Sequence, residues 1–198
     1  MKFFARKVGM TQAYSKDGQH LPVTVLELLK STVVGTRQEE KDGYAAGIVA
    51  RIDEKHGKNS RSLAGQFPKT PAVKQVIEDR QSAGVEIGKS FTLEQLKEGE
   101  KLIISGRGKG KGFAGTIKRH GFSRGPKTHG SHNIRQPGSI GSTYPERVVK
   151  GRRMPGHLGS AQTKVKAVEI VKILPEQNQL WVKGPVPGAN KSKLILEK

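Results

Sequence analysis

The sequence predicts a mainly β protein with little helix, in which a body built from both ends of the chain carries a long basic insertion. Both flanks contain short runs of β-branched and apolar residues bounded by turn residues, and a glycine-rich cationic stretch separates them. Neither flank alone offers enough apolar strands for a core. We therefore expect residues 1–105 and 160–198 to close one barrel together and residues 106–159, the arm, to be inserted within it.

The charge of the chain is its most informative global property. Of 198 residues, 36 are Lys or Arg and 17 are Asp or Glu, which gives a formal net charge of +19. Self-repulsion of this size favours a polyanionic partner, and nucleic acid fits best because neutralised phosphates also release condensed counterions. A basic membrane-surface protein would need an amphipathic helix with a clear apolar face, which the sequence does not display. The charge therefore predicts a nucleic-acid-binding protein.

Cysteine usage and apolar runs indicate the compartment. The chain has no cysteine, so a disulfide framework and a thiolate metal site are both excluded. Residues 1–10 hold no apolar run of signal-peptide length, and no segment approaches the roughly 20 apolar residues that span a bilayer. We expect a soluble protein inside the cell, in the cytoplasm or in an organelle.

The first 52 residues have the pattern of short strands. Their apolar and β-branched residues alternate imperfectly, as expected where one face is buried and the other partly covered. Ser15–Gly18 is predicted to form a tight turn, because glycine supplies the positive φ that such a turn needs. The predicted strands are Phe3–Phe4, Met10–Tyr14, Leu21–Leu28, Val33–Arg37 and Tyr44–Ile52.

The region between these strands and the arm is less regular. Residues 56–71 lose periodicity and are predicted to form a surface loop. Thr70 followed by Pro71 resembles the start of a helix, which is predicted to extend to Asp79 with Val73, Val76 and Ile77 on one face. Further predictions are strands at Val85–Ile87 and Lys101–Ile104, and one helical turn within Phe91–Leu96.

The segment after the arm predicts three more strands. Two of them flank a polar turn at residues 175–178, and the third follows the Gly-Pro-rich turn at residues 184–188. The predicted strands are Val165–Leu174, Leu180–Lys183 and Leu194–Leu196. These strands complete the body predicted from the first flank.

The arm concentrates positive charge on a chain segment with few apolar groups. Its one acid is Glu146. Burial cannot offset a backbone entropy loss of about 1–2 kcal/mol per residue, so we expect the arm to be mobile when alone. Arg contributes planar bidentate contacts to phosphate, and glycine lets the backbone approach RNA closely. The candidate RNA-binding residues are Arg107, Lys109, Lys111, Lys118, Arg119, Arg124, Lys127, His129, His132, Arg135, Arg147, Lys150, Arg152 and Arg153.

Three aromatic residues of the arm are candidates for stacking on bases. Tyr144 lies among cations and favours stacking. Phe113 and Phe122 fit either stacking or a small hydrophobic cluster at the root of the arm. The sequence leaves these two alternatives open.

The sequence gives little support for nucleotide binding, metal binding or catalysis. Residues 110–115 match G-x-G-x-x-G, but Arg135 stands where a dinucleotide fold would place an acid, and a phosphate loop would need a lysine that is missing. His129 and His132 lack a clear third metal ligand. No pairing of carboxylates or nucleophile with base is readable. We therefore expect no enzyme activity, no cofactor, no metal and no small-molecule substrate, and we expect no homo-oligomer.

Sequence motifs along nearly the whole chain, taken in order, resemble one family: bacterial-type large-subunit ribosomal protein L3, also called uL3. Single glycine-rich motifs are weak, but the ordered series is specific. The motifs are Arg6-Lys7-Val8-Gly9-Met10-Thr11-Gln12, Pro22-Val23-Thr24-Val25, Asp42-Gly43-Tyr44, residues 108–116, Thr128-His129-Gly130-Ser131, Pro137-Gly138-Ser139-Ile140-Gly141 and residues 182–189.

The resemblance implies a fold and a location. The fold would be a six-stranded β-barrel of the translation-protein type with a long inserted basic extension that runs through large-subunit (23S-type) rRNA towards the peptidyl transferase centre. The body would lie near the 3′ domain of that rRNA, beside proteins L14 and L19, and act early in subunit assembly. The tip of the arm would comprise Pro137, Gly138, Ser139, Ile140, Gly141, Ser142, Thr143 and Tyr144.

The chain departs from the family pattern at three places. Ser142 stands where many bacterial members carry a glutamine that is methylated, so this modification is not expected. Ala5 replaces a common glycine, and residues 56–79 match poorly. The remaining alternative from another class is a free regulatory RNA- or DNA-binding factor that uses the same arm.

Overall fold

The computed structural model describes residues 1–15, 18–53, 61–68, 70 and 72–198. Strands dominate this part of the chain, which confirms the mainly β prediction. The strands are β1 (Lys2–Tyr14), β2 (His20–Leu28), β3 (Ser31–Arg37), β4 (Ala46–Ile52), β5 (Val73–Asp79), β6 (Lys101–Arg107), β7 (Phe113–Ala114), β8 (Gly156–His157), β9 (Gln162–Leu174), β10 (Gln179–Lys183) and β11 (Lys193–Glu197).

Helices are few and short within the described residues. The helices are α1 (Glu39–Asp42), α2 (Arg61–Gln66) and α3 (Thr116–His120), with 3₁₀ turns at Arg80–Ser82, Leu93–Gln95 and Pro175–Gln177. The turn at Leu93–Gln95 confirms the helical turn predicted within Phe91–Leu96. Helix α1 was not predicted; it ends at Gly43, which adopts the left-handed conformation with φ 75°.

The chain divides into two compact units. The first comprises Met1–Arg107 and Gln162–Lys198, and the second comprises Gly108–Ala161. No helix in the described part of the chain is long and apolar enough to cross a membrane.

Six strands of the first unit pair in a closed cycle, in the order β1–β11–β6–β9–β10–β2, with β2 returning to β1. Every neighbouring pair is antiparallel. Alternate residues point into the cycle and form an apolar core, because successive side chains of a strand face opposite sides. The largest fully buried side chains of these six strands are Phe3, Leu26, Leu102, Ile104, Ile170, Leu180, Leu194 and Leu196, together with Phe4, which follows Phe3 in β1 and therefore faces the opposite side of the sheet.

A second sheet in the first unit has the order β3–β4–β5. Gly47 of β4 lies against the 3₁₀ turn after β5, where an added Cβ would stand 2.6 Å from the Ser82 carbonyl oxygen. The buried carboxylate of Asp79 accepts hydrogen bonds from the backbone of Gln81 at 3.2 Å and of Lys2 at 3.1 Å. These contacts fix the end of β5 and join it to the start of β1.

Strand β5 overturns the helix predicted from Thr70 to Asp79. Val73, Val76 and Ile77 are β-branched, and Ile77 pairs with Val49 of β4. Spacing alone cannot distinguish a helix face from a strand that is only partly covered on its second face, and cross-strand pairing favours the strand here. Pro71, part of the predicted helix start, lies outside the described residues.

Two other local predictions were wrong. The loop predicted over residues 56–71 contains helix α2, although residues 54–60, 69 and 71 lie outside the described part. Val85–Ile87 is not a strand, because Gly84 and Gly88 flank it with φ of 80° and 96° and turn the chain at both ends.

The first predicted strands join into one. Phe3–Phe4 and Met10–Tyr14 both belong to β1, in which the register shifts between Lys7 and Gly9. A β-bulge lets one long strand bend and keep pairing with β2. Of the turn predicted at Ser15–Gly18, residues 16 and 17 are not described; the Gly18 backbone N–H donates to the Ser15 carbonyl at 3.0 Å, with φ 76°.

The remaining strand predictions agree with the structure to within a few residues. Strands β2, β3, β4 and β6 correspond to the predicted strands Leu21–Leu28, Val33–Arg37, Tyr44–Ile52 and Lys101–Ile104. The three strands predicted after the arm correspond to β9, β10 and β11.

Candidate nucleic-acid interface

The second unit begins and ends as two paired legs, residues 108–114 going out and residues 156–161 returning. The Lys111 backbone N–H donates to the Leu158 carbonyl at 2.9 Å, and the Leu158 N–H donates to the Gly112 carbonyl at 2.9 Å. Farther out, Phe113 pairs with His157 in the β7–β8 ladder. The legs therefore run antiparallel and hold each other through their backbones.

Beyond the legs, one backbone carbonyl ties helix α3 to the returning chain. The Met154 carbonyl oxygen accepts a hydrogen bond of 2.6 Å from Nη1 of Arg119 and lies 3.0 Å from Nε2 of His120. Gly156 leaves room for this contact, since an added Cβ would stand 2.7 Å from Nη1 of Arg119. We call this arrangement the Arg119 clamp.

The outer part of the unit is held by isolated backbone contacts. The Gly125 N–H donates to the Ile134 carbonyl at 3.1 Å and closes the loop between them. At the predicted tip, Nη2 of Arg152 donates to the Ser139 carbonyl, and the Ser139 hydroxyl donates to the Gly141 carbonyl at 2.9 Å. The chain shape is therefore set by local hydrogen bonds.

The second unit lacks a hydrophobic core. Of its residues only Ala114 and Thr116 are buried, and the stretch from Gln136 to Tyr144 is exposed throughout. A segment without burial gains little free energy from its own packing. Mobility of the arm in isolation stays a prediction.

Most predicted RNA-binding side chains point into solvent. Arg119 is half-buried in its clamp, and the other thirteen are exposed. Among the described residues, no cation of residues 108–161 forms an ion pair with a carboxylate. Because the cations of residues 108–161 find no counter-charge in the part of the chain that the structure describes, the unit presents a field of cations to an external anion.

The aromatic candidates separate into two groups. The side chains of Phe113 and Tyr144 are 80% and 85% exposed, so both faces of each ring have room for a flat partner. Phe122 is half-buried and packs against the His120 ring, with centroids 6.0 Å apart. Exposure favours stacking for Phe113, whereas Phe122 contacts the His120 ring beside the clamp.

The rival motifs find no supporting geometry. Residues 110–115 lead from the outgoing leg through β7 into α3, a helix of five residues, and no parallel βαβ unit surrounds them. In the described ranges, no group of three or more His, Asp or Glu side chains is placed to hold a metal ion.

Two parts of this site escape prediction from the sequence. The Met154 carbonyl is a backbone group, so its role in the Arg119 clamp has no residue signature. Gly156 stands close to the Arg119 side chain and Gly159 to the opposite leg, and nothing distinguishes these two glycines in the sequence from others of the arm.

We expect Arg119→Ala to loosen the paired legs, because it removes a charge-assisted hydrogen bond with a net value of about 1.5 kcal/mol. The chain has no cysteine, so spin labels at Lys109→Cys and Ala161→Cys report the distance between the legs. The distance distribution should broaden in Arg119→Ala and stay narrow in Lys118→Ala, whose side chain is exposed on the same helix. Equal distance distributions in Arg119→Ala and Lys118→Ala would show that the Arg119 clamp does not hold the legs together.

The fold and this site together define a class of protein: a β-rich body that carries a coreless, cationic extension suited to a polyanion. The model of the family described as ribosomal protein L3 matches residues 75–180. The chain therefore belongs to the ribosomal protein L3 family, a family of structural ribosomal proteins rather than enzymes. The resemblance drawn from the motifs is confirmed, and so is the prediction that the protein is not an enzyme.

Individual relatives match along nearly the full chain. The large ribosomal subunit protein uL3 of Desulforapulum autotrophicum is 42% identical over 98% of this chain and 96% of its own length. The uL3 protein of Streptococcus mutans is 40% identical over 97% of this chain and 93% of its own length. For uL3 of Mycoplasmopsis agalactiae the identity is 46% over 97% of this chain and 74% of its own length. The match thus extends over the body as well as the arm.

Proposed function

We propose that this protein binds large-subunit rRNA through the arm and holds a defined part of that RNA in place. The observation that carries the proposal is the set of twelve predicted RNA-binding cations and histidines that are exposed among residues 108–161, a segment without a core whose cations form no ion pair with the described carboxylates. Arg and Lys at these positions would neutralise phosphates of several RNA segments along the two legs and the outer loops. RNA contacts would replace the missing core and order the segment.

The tip, residues 137–144, has a different role in this proposal. It carries no cation, and its Ser139 carbonyl is fixed by Arg152. Ile140 and Tyr144 expose 40% and 85% of their surfaces and can pack against or stack on bases. The tip would approach the peptidyl transferase centre and support the shape of the reacting RNA without taking part in bond chemistry.

The first unit would serve as the anchor. Its closed six-stranded sheet is compatible with the translation-protein type of barrel. The net positive charge of the chain, to which the first unit contributes as well as the arm, favours contact with the 3′ domain of 23S-type rRNA. Early binding there, next to proteins L14 and L19, would start subunit assembly and place the arm before the surrounding RNA folds.

Crosslinking in assembled subunits tests the proposal. A photoreactive side chain at Lys127 or Lys150, both exposed on the arm, should yield crosslinks to large-subunit rRNA, and one at Tyr144 should yield crosslinks near the peptidyl transferase centre. Glu40, exposed on helix α1, serves as the control position and should give few RNA crosslinks. Absence of the protein from the large-subunit peak in high-magnesium gradients would instead support a free RNA- or DNA-binding factor.

A further inference from the structure

A row of charged side chains crosses three strands of the first unit. Arg6 of β1 stands directly opposite Lys193 of β11 on one side and Glu27 of β2 on the other. Directly opposed residues of antiparallel strands share one face of the sheet, and like charges in that position destabilise the pair. Only one of these contacts is an attraction: Nη1 of Arg6 lies 3.5 Å from Glu27.

The second sheet of the first unit carries a buried arginine whose charge acts on this row. Arg51 of β4 is 4% exposed, and its Nη1 is 3.9 Å from the carboxylate of Asp53. Its Nε is buried and has no hydrogen-bond partner among the described residues. A buried donor without an acceptor is costly, so an external acceptor at this position would be favoured.

The three cations act on one another in the free protein. Burial lowers the pKa of the Arg51 guanidinium, the Asp53 carboxylate opposes this change, and the Arg6 charge adds to it. Burial also lowers the pKa of the Lys193 ammonium, and the charges of Arg51 and Arg6 lower it further. Desolvation and mutual repulsion therefore destabilise the charged forms of Arg51 and Lys193 in the free protein.

We propose that Arg6, Arg51 and Lys193 form a phosphate-binding site for RNA on the barrel, separate from the arm. Among the residues that the structure describes, these three cations face two carboxylates, Glu27 and Asp53, which leaves one positive charge for a singly charged phosphodiester to balance. The exposed Lys193 and half-exposed Arg6 can reach a phosphate at the surface, while the unsatisfied donor of Arg51 adds a partner from below.

The choice of RNA rests on the proposed function, whereas the anion-binding chemistry of the site does not. An acidic segment of a protein could in principle meet the same cations. A phosphodiester fits better because one unpaired positive charge remains, and a run of carboxylates would bring several negative charges next to Glu27 and Asp53.

Stability of the free protein separates a binding site from a structural cluster. Lys193→Gln removes one of the opposed cations at an exposed position, so the free protein should unfold at a higher denaturant concentration than the unmodified chain. The matched control is Lys183→Gln, because Lys183 is an exposed barrel lysine that pairs with Glu169 at 3.5 Å. It should give no increase. A lower midpoint for Lys193→Gln would mean that this lysine stabilises the fold, and would overturn the proposal.

RNA affinity gives the second, independent readout. With a transcript of the 3′ half of 23S-type rRNA as the probe, Lys193→Gln and Arg6→Gln should each weaken binding several-fold at ~0.1 M salt and reduce the slope of log K against log salt by about one. Lys183→Gln should leave the slope unchanged.

The outcomes distinguish this site from the function of the arm. Unchanged affinity and slope in both Lys193→Gln and Arg6→Gln, with weaker binding in arm variants such as Arg135→Gln, would overturn the barrel site alone. If the unmodified chain fails to bind the transcript, both the site and the proposed function are wrong. If a polyglutamate peptide competes with the transcript as strongly as inorganic polyphosphate of equal charge, the ligand is an acidic protein segment and the RNA assignment is overturned.

Discussion

Deletion of residues 131–150 is expected to leave a folded protein that enters the large subunit and yet impairs peptidyl transfer there by about tenfold or more, equivalent to about 1.4 kcal/mol or more of activation free energy. The first unit consists of Met1–Arg107 and Gln162–Lys198, so its core loses no residue. The paired legs and the Arg119 clamp also remain, because they involve residues 108–120 and 154–161. What is lost is the tip and the contacts that give it its shape.

The measurement is single-turnover peptidyl transfer by subunits reconstituted with the deleted chain. A matched control replaces residues 131–150 with a Gly-Ser linker of the same length, which keeps the chain span without the tip side chains. Both variants should impair the reaction if the tip shapes the RNA, and only the deletion should do so if the span alone matters. Normal rates in subunits that contain the deleted chain would refute the role of the tip.

The sequence was sufficient to predict the positions of strands that have one buried face and one more exposed face. β2 and β10 were predicted nearly at their bounds, because alternation and turn residues specify them locally. The segment from Thr70 to Asp79 was assigned to a helix because Val73, Val76 and Ile77 fit a helical spacing. Pairing with β4, which depends on residues far away in the sequence, decides its conformation. Local patterns carry no information about such a partner.

The candidate site likewise has a part that the sequence predicted and a part that it did not. Charge and glycine content can be read from composition, so the exposed cations of the arm were identified from the sequence. Arg119 was grouped with them, and the structure places its guanidinium on the Met154 carbonyl instead of in open solvent. The proposed site of Arg6, Arg51 and Lys193 was not predicted, because Arg6 and Lys193 face each other only through the pairing of β1 with β11, and Arg51 belongs to β4 of the second sheet.

Glycine density in the arm was attributed to close approach of RNA, and the structure gives a second use to some of these residues. Gly159 has φ 81°, and a Cβ there would stand 2.2 Å from the Lys109 carbonyl oxygen of the opposite leg. That distance is far inside van der Waals contact, and the Lys109 carbonyl belongs to backbone that pairs across the legs. Gly115, in contrast, has no positive φ and open space at the Cβ position. Substitutions at these two residues therefore distinguish a glycine that lets the two legs approach each other, Gly159, from one that leaves room for RNA, Gly115.

We expect Gly159→Ala to break the pairing of the legs, because the substitution adds left-handed strain of about 1–2 kcal/mol to a backbone clash that only separation of the legs relieves. Spin labels at Lys109→Cys and Ala161→Cys should show a longer, broader distance, and reconstituted subunits should incorporate less of this variant. Gly130→Ala, with φ 70° and no atom near the Cβ position, carries the strain without the clash and should keep the legs paired. Gly115→Ala should leave the legs unchanged and weaken rRNA binding only if RNA backbone approaches at that residue. Paired legs in Gly159→Ala would show that the close approach of Gly159 to Lys109 is not needed to hold the arm together.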